Sequence, residues 1–251
     1  MFNLEGHTAL VTGGNSGIGL GMARGLAKAG AAVAVWGRTA EKNAAAADEL
    51  RSLGVRAEGF ACDVTDEEQV VETMKATVDA FGRVDSCFAN AGGGKATRFA
   101  EMSLADWHAV ADLNMVATFL TFREAVRHML ERDGGGVLVA VASVGSIHGM
   151  PKQEPYASSK AGVCALTRSL AVEYGRKGIR ANAVLPGWIA TDLTAAAREW
   201  KSLNDAVLHR TPAGRWGEPA DFEGVAVYLA SDASRFHTGD TLCLDGGYTV
   251  F

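Results

Sequence analysis

Seven short runs rich in Val, Ala and Leu punctuate the chain: Thr8 to Thr12, Ala31 to Trp36, Val55 to Cys62, Val84 to Asn90, Gly136 to Ala142, Arg180 to Leu185 and Thr241 to Leu244. They lack the polar–apolar alternation of a half-exposed strand, so they read as strands covered on both faces, which implies parallel pairing. Helical patterns lie between them. Thr65 and Glu68 read as a capping box ahead of Val70, Val71 and Met74, and Pro155 and Pro219 fall where a first helical turn tolerates proline. Strand and helix alternating with right-handed crossovers predict an α/β fold: one doubly wound parallel sheet of about seven strands, helices on both faces, ligands at the carboxyl ends of the strands. The segment 187–217 breaks the alternation, mixing Trp188, Leu193, Trp200, Leu203, Val207 and Leu208 with charged residues, and reads as a lid within a single domain spanning 1–251.

Composition narrows the function. A chain of 251 residues with 48% hydrophobic content buries a sizeable core, and a net charge of −5 without a dense basic run excludes the electrostatic footprint of a nucleic-acid binder. Cys62, Cys87, Cys164 and Cys243 form no CxxC pair and sit in apolar stretches, so they read as reduced packing thiols. No His, Cys or carboxylate cluster has metal-ligand spacing, and no metal is expected. No leader pattern and no run of about eighteen apolar residues is present, so the expectation is a soluble, cytoplasmic protein that does not engage a membrane.

Thr12 to Gly19 reads TGGNSGIG, directly after a strand and before a helix carrying Met22 and Leu26. Such a turn brings backbone N–H groups and the positive end of a helix to a pyrophosphate, which makes Gly13, Asn15, Ser16, Gly17, Ile18 and Gly19 candidate dinucleotide contacts on a Rossmann-type fold. About 20 residues on, where NAD-binding domains place an acid on the ribose 2′-OH, the chain has Arg38 and Thr39 instead. A guanidinium pairs with a 2′-phosphate in bidentate fashion, so NADP(H) is favoured and NAD(H) is the alternative. Asp63 and Val64 follow the third strand, where they can meet the adenine. Asn90, Ala91 and Gly92 follow the fourth, where small residues admit a ribose; each group taken alone reads as an ordinary turn.

Tyr156 and Lys160 stand four apart in PYASSKAGV, on one face of a predicted helix, and Ser143 closes the strand GVLVAVAS at the same sheet edge. Ketone reduction by hydride needs a proton delivered to the developing alkoxide, and alcohol oxidation needs it removed. Lowering a tyrosine from about 10 to about 7 takes roughly 4 kcal/mol. A lysine ammonium about 4.5 Å away at an effective dielectric of about 20 supplies roughly 3.7 kcal/mol, so Lys160 is expected nearly to bring Tyr156 into range, with help from a cationic nicotinamide. A Tyr and Lys at this spacing also occur by chance on helix surfaces, and a serine at a strand end is common.

TGGNSGIG, Asn90–Ala91–Gly92, Ser143 and YASSK together resemble the short-chain dehydrogenase/reductase family in order and spacing over nearly the whole chain. The resemblance implies that Tyr156 is the acid/base, that Lys160 also holds the nicotinamide ribose, and that Ser143 orients the carbonyl or hydroxyl. It further implies that Asn114, in DLNMVATF, anchors a water through its backbone; from the residues alone Asn114 reads as a polar group inside a helix. Pro186 and Gly187 match the family's PG pair after a strand, Ile189 and Thr191 fall where the family holds the nicotinamide carboxamide, and HTGDTLCLDGG resembles the last strand of tetrameric members, implying a homotetramer.

The expected reaction is hydride transfer between NADP(H) or NAD(H) and a small-molecule ketone or secondary alcohol. Gly93, His148, Gln153 and Trp188 join Ser143 and Tyr156 as candidate substrate contacts, and the apolar residues of 187–217 favour a moderately hydrophobic ketone over a sugar phosphate. Two rival readings use the same fold: a dinucleotide-sensing protein without chemistry, which has no need of an acid/base tyrosine beside a lysine, and an epimerase passing through a transient ketone, which consumes no coenzyme.

Overall fold

The structure is a computed structural model that describes residues 1–132 and 134–251. Its strands are β1 (Thr8–Thr12), β2 (Ala32–Gly37), β3 (Ala57–Ala61), β4 (Ser86–Ala89), β5 (Gly136–Val141), β6 (Ile179–Pro186) and β7 (Thr241–Leu244). All pair in parallel in one sheet of order β3-β2-β1-β4-β5-β6-β7. The order reverses between β1 and β4, so a crevice opens above the carboxyl ends of those two strands. The helices are α1 (Gly17–Lys28), α2 (Ala40–Ser52), α3 (Glu67–Phe81), α4 (Leu104–Ala111), α5 (Ala117–Glu131), α6 (Glu154–Tyr174), α7 (Ala195–Glu199), α8 (Lys201–Arg210) and α9 (Glu223–Ala230).

The missing polar alternation has a direct cause: successive strand residues enter two different cores. Leu10, Cys87 and Leu138 pack with Met74, Phe122 and Val163 on the face of α3, α5 and α6. Ala9, Val11, Phe88 and Val139 pack with Met22, Leu26 and Leu229 on the face of α1 and α9. The edge strands depart from this pattern, because β3 and β7 have a neighbour on one side only and are partly exposed. The third strand is accordingly shorter than the apolar run suggested, starting at Ala57 rather than Val55. Cys243 on β7 is exposed, whereas the other three cysteines are buried.

The cap of α3 sits one residue later than the sequence pattern indicated. Asp66, not Thr65, accepts the Gln69 N–H at 3.1 Å and the Gln69 amide at 2.9 Å, while Thr65 is held by Asp63 Oδ1. An ionised carboxylate is the better acceptor at a helix N-terminus, and it takes the cap from the hydroxyl. Residues 187–217 form a three-residue turn, α7 and α8, and the two ends of the segment are drawn together by a bridge between Ile189 and Gly217. Among the described residues no helix is long and apolar enough to cross a membrane.

Candidate active site

A cleft of about 410 Å³ runs along the carboxyl edge of the sheet from the ends of β2 and β3 to α6. The turn after β1 forms its floor. Gly13 lies at φ +61°, a region that costs other residues strain, and a Cβ on Gly19 would collide with the Gly13 carbonyl and the Asn90 amide. Asn90 closes the turn from the other side: its amide donates to the Thr12 carbonyl at 3.0 Å, and the Asn90 and Ala91 N–H groups donate to Thr12 Oγ1 at 3.0 Å each. Asn15 is held in turn by Asn43, which the sequence reading missed. Buried Asn43 accepts from Asn15 Nδ2 at 2.6 Å and donates to the carbonyls of Gly37 at 2.7 Å and Phe60 at 2.8 Å, so one side chain ties the glycine turn to the ends of β2 and β3. A polar residue early in a helix carries no sequence sign that it folds inward.

Gly13, Asn15, Ser16, Gly17, Ile18, Arg38, Thr39, Asp63, Val64, Asn90, Ala91, Gly92, Pro186, Gly187, Ile189 and Thr191 all line this cleft, together with Ser143, Tyr156 and Lys160. Gly19 lies beneath the turn instead of on the cleft surface. Lys42, one helical turn past Arg38, also lines the cleft, so the rim beside β2 presents two cations where the sequence reading found one.

At the other end, Lys160 is buried and donates from Nζ to the Val141 carbonyl at 2.7 Å, which fixes the ammonium beneath Tyr156 at 5.7 Å from the ring centroid. Ser143 caps a short turn after β5, its Oγ accepting the Gly145 N–H at 3.0 Å. Asn114 is fully buried in a one-turn π-helix (Asp112–Val116) that joins α4 to α5; such wide turns are frequent at functional sites. Its amide donates to the carbonyls of Gly93 at 2.6 Å and Val110 at 2.7 Å, and its Oδ1 accepts the Gly93 N–H at 3.2 Å. A Cβ on Gly92 would stand 2.6 Å from Asn114 Oδ1 and 2.9 Å from Lys160 Nζ, so those two side chains converge on one glycine.

Burial works against the ionisation expected of the tyrosine. Burial pushes the Tyr156 phenol up, with the Ser143 hydroxyl pulling the other way, and burial pulls the Lys160 ammonium down to about 8. Burial disfavours the charged form of each group, so it opposes the attraction between phenolate and ammonium and favours the protonated phenol.

The substrate-side candidates separate. Gln153 stands beside the catalytic end: a Cβ on Gly94 would meet its Oε1 at 2.5 Å and the Tyr156 ring at 3.5 Å. His148 packs edge-on to Tyr248 at 5.9 Å, and its Nε2 is shielded from solvent without a hydrogen-bond partner among the described residues. Trp188 does not line the main cleft. It packs against Trp216 at 5.5 Å and Tyr248 at 6.5 Å and lines a neighbouring cavity of about 230 Å³. Leu193 lines the cleft, and both it and Trp200 are about two-thirds exposed, at 64% and 65%, so the expected apolar wall is thin. Tyr248, which bridges His148 and Trp188, was missed because its turn is far from both in sequence.

A sheet reversing above a glycine turn, with a Ser-Tyr-Lys set at the far end of the same cleft, defines a nucleotide-dependent oxidoreductase site. A family model described as enoyl-(acyl carrier protein) reductase matches residues 13–249. The chain is 38% identical to gluconate 5-dehydrogenase of Gluconobacter oxydans over 250 residues, covering 100% of this chain and 97% of that protein. It is also 38% identical to the (2S)-[(R)-hydroxy(phenyl)methyl]succinyl-CoA dehydrogenase subunit BbsD of Thauera aromatica, covering 99% and 98%. A solved gluconate 5-dehydrogenase from Burkholderia cenocepacia, in complex with NADP and tartrate, superposes with a TM-score of 0.95 at 37% identity, covering 100% of this chain and 98% of that one. The chain belongs to the short-chain dehydrogenase/reductase family. It is an oxidoreductase acting on CH–OH groups, exchanging a hydride between a nicotinamide coenzyme and a secondary alcohol or ketone.

Proposed function

We propose that this enzyme interconverts a hydroxy acid of the sugar-acid class and its keto acid with NADP(H), using Tyr156 as acid/base. The observation that carries the reading is the convergence of Ser143, Tyr156 and Lys160 at one end of a cleft whose other end presents Arg38 and Lys42. The residues suit the coenzyme: the glycine turn leaves room for a pyrophosphate, and two cations that line the cleft beside β2 are suited to a 2′-phosphate. NADP is also the coenzyme in the Burkholderia cenocepacia structure. Bound NADPH supplies the hydride, and NADP⁺ accepts it in the reverse direction.

The chain's own residues do the rest. Ser143 Oγ donates to the substrate oxygen and holds the carbonyl against Tyr156, a bond that strengthens as negative charge develops. Tyr156 Oη gives its proton to the developing alkoxide in reduction and removes it in oxidation. Lys160, fixed by the Val141 carbonyl, stabilises the phenolate left behind and holds the coenzyme ribose. Asn114 clamps Gly93 and keeps the helix open beside Lys160. Segment 187–217 folds over the bound substrate. The substrate class rests on the gluconate dehydrogenases among the relatives and on the polar groups of Gln153 and His148, and it replaces the hydrophobic ketone expected from the lid residues.

Assembly as a homotetramer is part of this reading: Val116 and Phe119 around α5 and Val172 on α6 are exposed apolar residues on helix outer faces. The test of the activity is initial-rate oxidation of NADPH and NADH with 5-keto-D-gluconate beside uncharged aliphatic and aromatic ketones. The reading expects the keto acid with NADPH to give the highest kcat/KM. An aromatic ketone preferred over the keto acid would overturn the substrate class, and equal kcat/KM with NADH would overturn the coenzyme.

A further inference from the structure

The chain leaving β6 is anchored to the body step by step as far as Ala190. The Gly187 N–H donates to the Leu244 carbonyl at 3.0 Å, the Gly217 N–H to the Trp188 carbonyl at 2.9 Å, and the Ala190 N–H to the Gly217 carbonyl at 2.8 Å. There the pairing ends, and residues 192–203 are for the most part exposed. One side chain spans the break. Half-buried Thr194 accepts the Thr191 N–H at 3.1 Å through Oγ1 and donates from the same hydroxyl to the Ile189 carbonyl at 2.5 Å. Among the described residues no other hydrogen bond joins 192–203 to the anchored stretch 186–190.

The turn that this hydroxyl fixes is part of the cleft wall: Ile189, Thr191 and Thr194 all line the cleft. Because β6 stands beside β5, the turn leaves the sheet on the side of Ser143 and Lys160. It also reaches the glycine turn, since a Cβ on Gly17 would stand 3.2 Å from Thr191 Cγ2. Ile189 to Thr191 therefore lie between the glycines suited to a pyrophosphate and the catalytic set, while Arg38 and Lys42 line the cleft beside β2, on the far side of β1. Hydride transfer to a carbonyl held by Tyr156 requires the nicotinamide at the catalytic end. The adenosine half of the coenzyme accordingly belongs beside β2, and the nicotinamide half alongside Ile189 to Thr191.

We infer that Thr194 is a positioning residue for the nicotinamide half of the coenzyme: its hydroxyl locks Ile189 and Thr191 into the stretch of cleft wall that this half occupies. The inference rests on the coenzyme reading above. Valine keeps the shape of threonine without the hydroxyl, so Thr194→Val leaves the Ile189 carbonyl and the Thr191 N–H without the group that joins them. The wall beside the nicotinamide then moves with the exposed residues that follow it, whereas the glycine turn and the rim at Arg38 and Lys42 are untouched.

The experiment is calorimetric titration of NADP⁺ and of adenosine 2′,5′-bisphosphate into wild type, Thr194→Val and Thr194→Ser. The bisphosphate keeps the adenine, its ribose and a phosphate at each of the two positions but lacks the nicotinamide half. Losing the two hydrogen bonds of the turn weakens NADP⁺ about 5- to 30-fold in Thr194→Val, leaves the bisphosphate within about twofold, and leaves Thr194→Ser near wild type for both ligands. A merely structural role would move the two ligands together. Tryptic cleavage of wild type after the exposed Arg198 and Lys201 reads the same wall without a substitution: NADP⁺ slows it and the bisphosphate does not. Four results each overturn the inference and leave the coenzyme reading standing: NADP⁺ bound equally by wild type and Thr194→Val, both ligands weakened alike, a serine variant no better than valine, or equal protection by the two ligands. A wild type that binds neither ligand overturns both.

Discussion

Replacing Asn43 with alanine should damage both the fold and coenzyme binding, from a position that touches neither substrate nor coenzyme. Its side chain makes three hydrogen bonds, at 2.6, 2.7 and 2.8 Å, to Asn15, Gly37 and Phe60. Alanine removes all three. The Gly37 carbonyl keeps a second donor, the Cys62 N–H at 3.0 Å, whereas the Asn15 amide loses the acceptor that Asn43 provides. At roughly 1 kcal/mol for each bond, the loss is about 3 kcal/mol. For a chain of this size about 2–4 °C of melting temperature goes with each kcal/mol, so Tm should fall by roughly 6–12 °C. Freed from Asn43, Asn15 no longer holds the glycine turn against β2, and NADPH affinity should fall severalfold in the protein that remains folded. Scanning calorimetry and a fluorescence titration with NADPH measure the two effects. Asn43→Asp should be worse than alanine, since it aims a buried carboxylate at two carbonyls. A Tm within 2 °C of wild type, with unchanged NADPH affinity, would refute the reasoning.

Other consequences are equally open to measurement. Arg38→Gln and Lys42→Gln should each weaken NADPH binding by about 10-fold and leave NADH nearly untouched, as separate titrations would show. Gly19→Ala should lose coenzyme binding outright, because the added methyl collides with the Gly13 carbonyl. Lys160 is held at about 8, below its unfolded value of 10.5, so the unfolded chain carries the extra proton between those values and stability rises with pH across that window. Lys160→Met should therefore melt above wild type at pH 7, by roughly 3 kcal/mol of stability, lose that advantage as pH approaches 10.5, and be inactive throughout. Because burial favours the protonated Tyr156, kcat/KM for alcohol oxidation should climb with pH through and beyond neutrality while that for reduction does not.

The sheet was legible because parallel strands between two helix layers bury both faces, and β1, β5 and β7 fall within a residue of the apolar runs that announced them. Legibility fell at the edges: β3 faces solvent on one side, so apolar content no longer marks where its pairing begins. Thr65 and Asp66 show the limit for caps, since two adjacent residues both suit the position and only the helix's entry angle chooses between them. In the site, Tyr156, Lys160 and Ser143 were readable because helix spacing and a strand end place them locally. Asn43, Lys42 and Tyr248 were not, because their roles depend on contacts between segments distant in sequence. The electrostatics of Tyr156 were only half legible for a related reason: spacing reveals the lysine but not the burial that opposes it.

The central claim, that Tyr156 carries the proton in an NADPH-dependent oxidoreduction, is tested most directly by Tyr156→Phe, which deletes one oxygen and leaves the ring. NADPH titration and NADPH oxidation by 5-keto-D-gluconate would be measured on the same preparation. The account predicts coenzyme affinity within about threefold of wild type and turnover reduced at least 10²-fold, the scale of a positioned acid/base group. Turnover within a few-fold of wild type, with coenzyme binding intact, would contradict it.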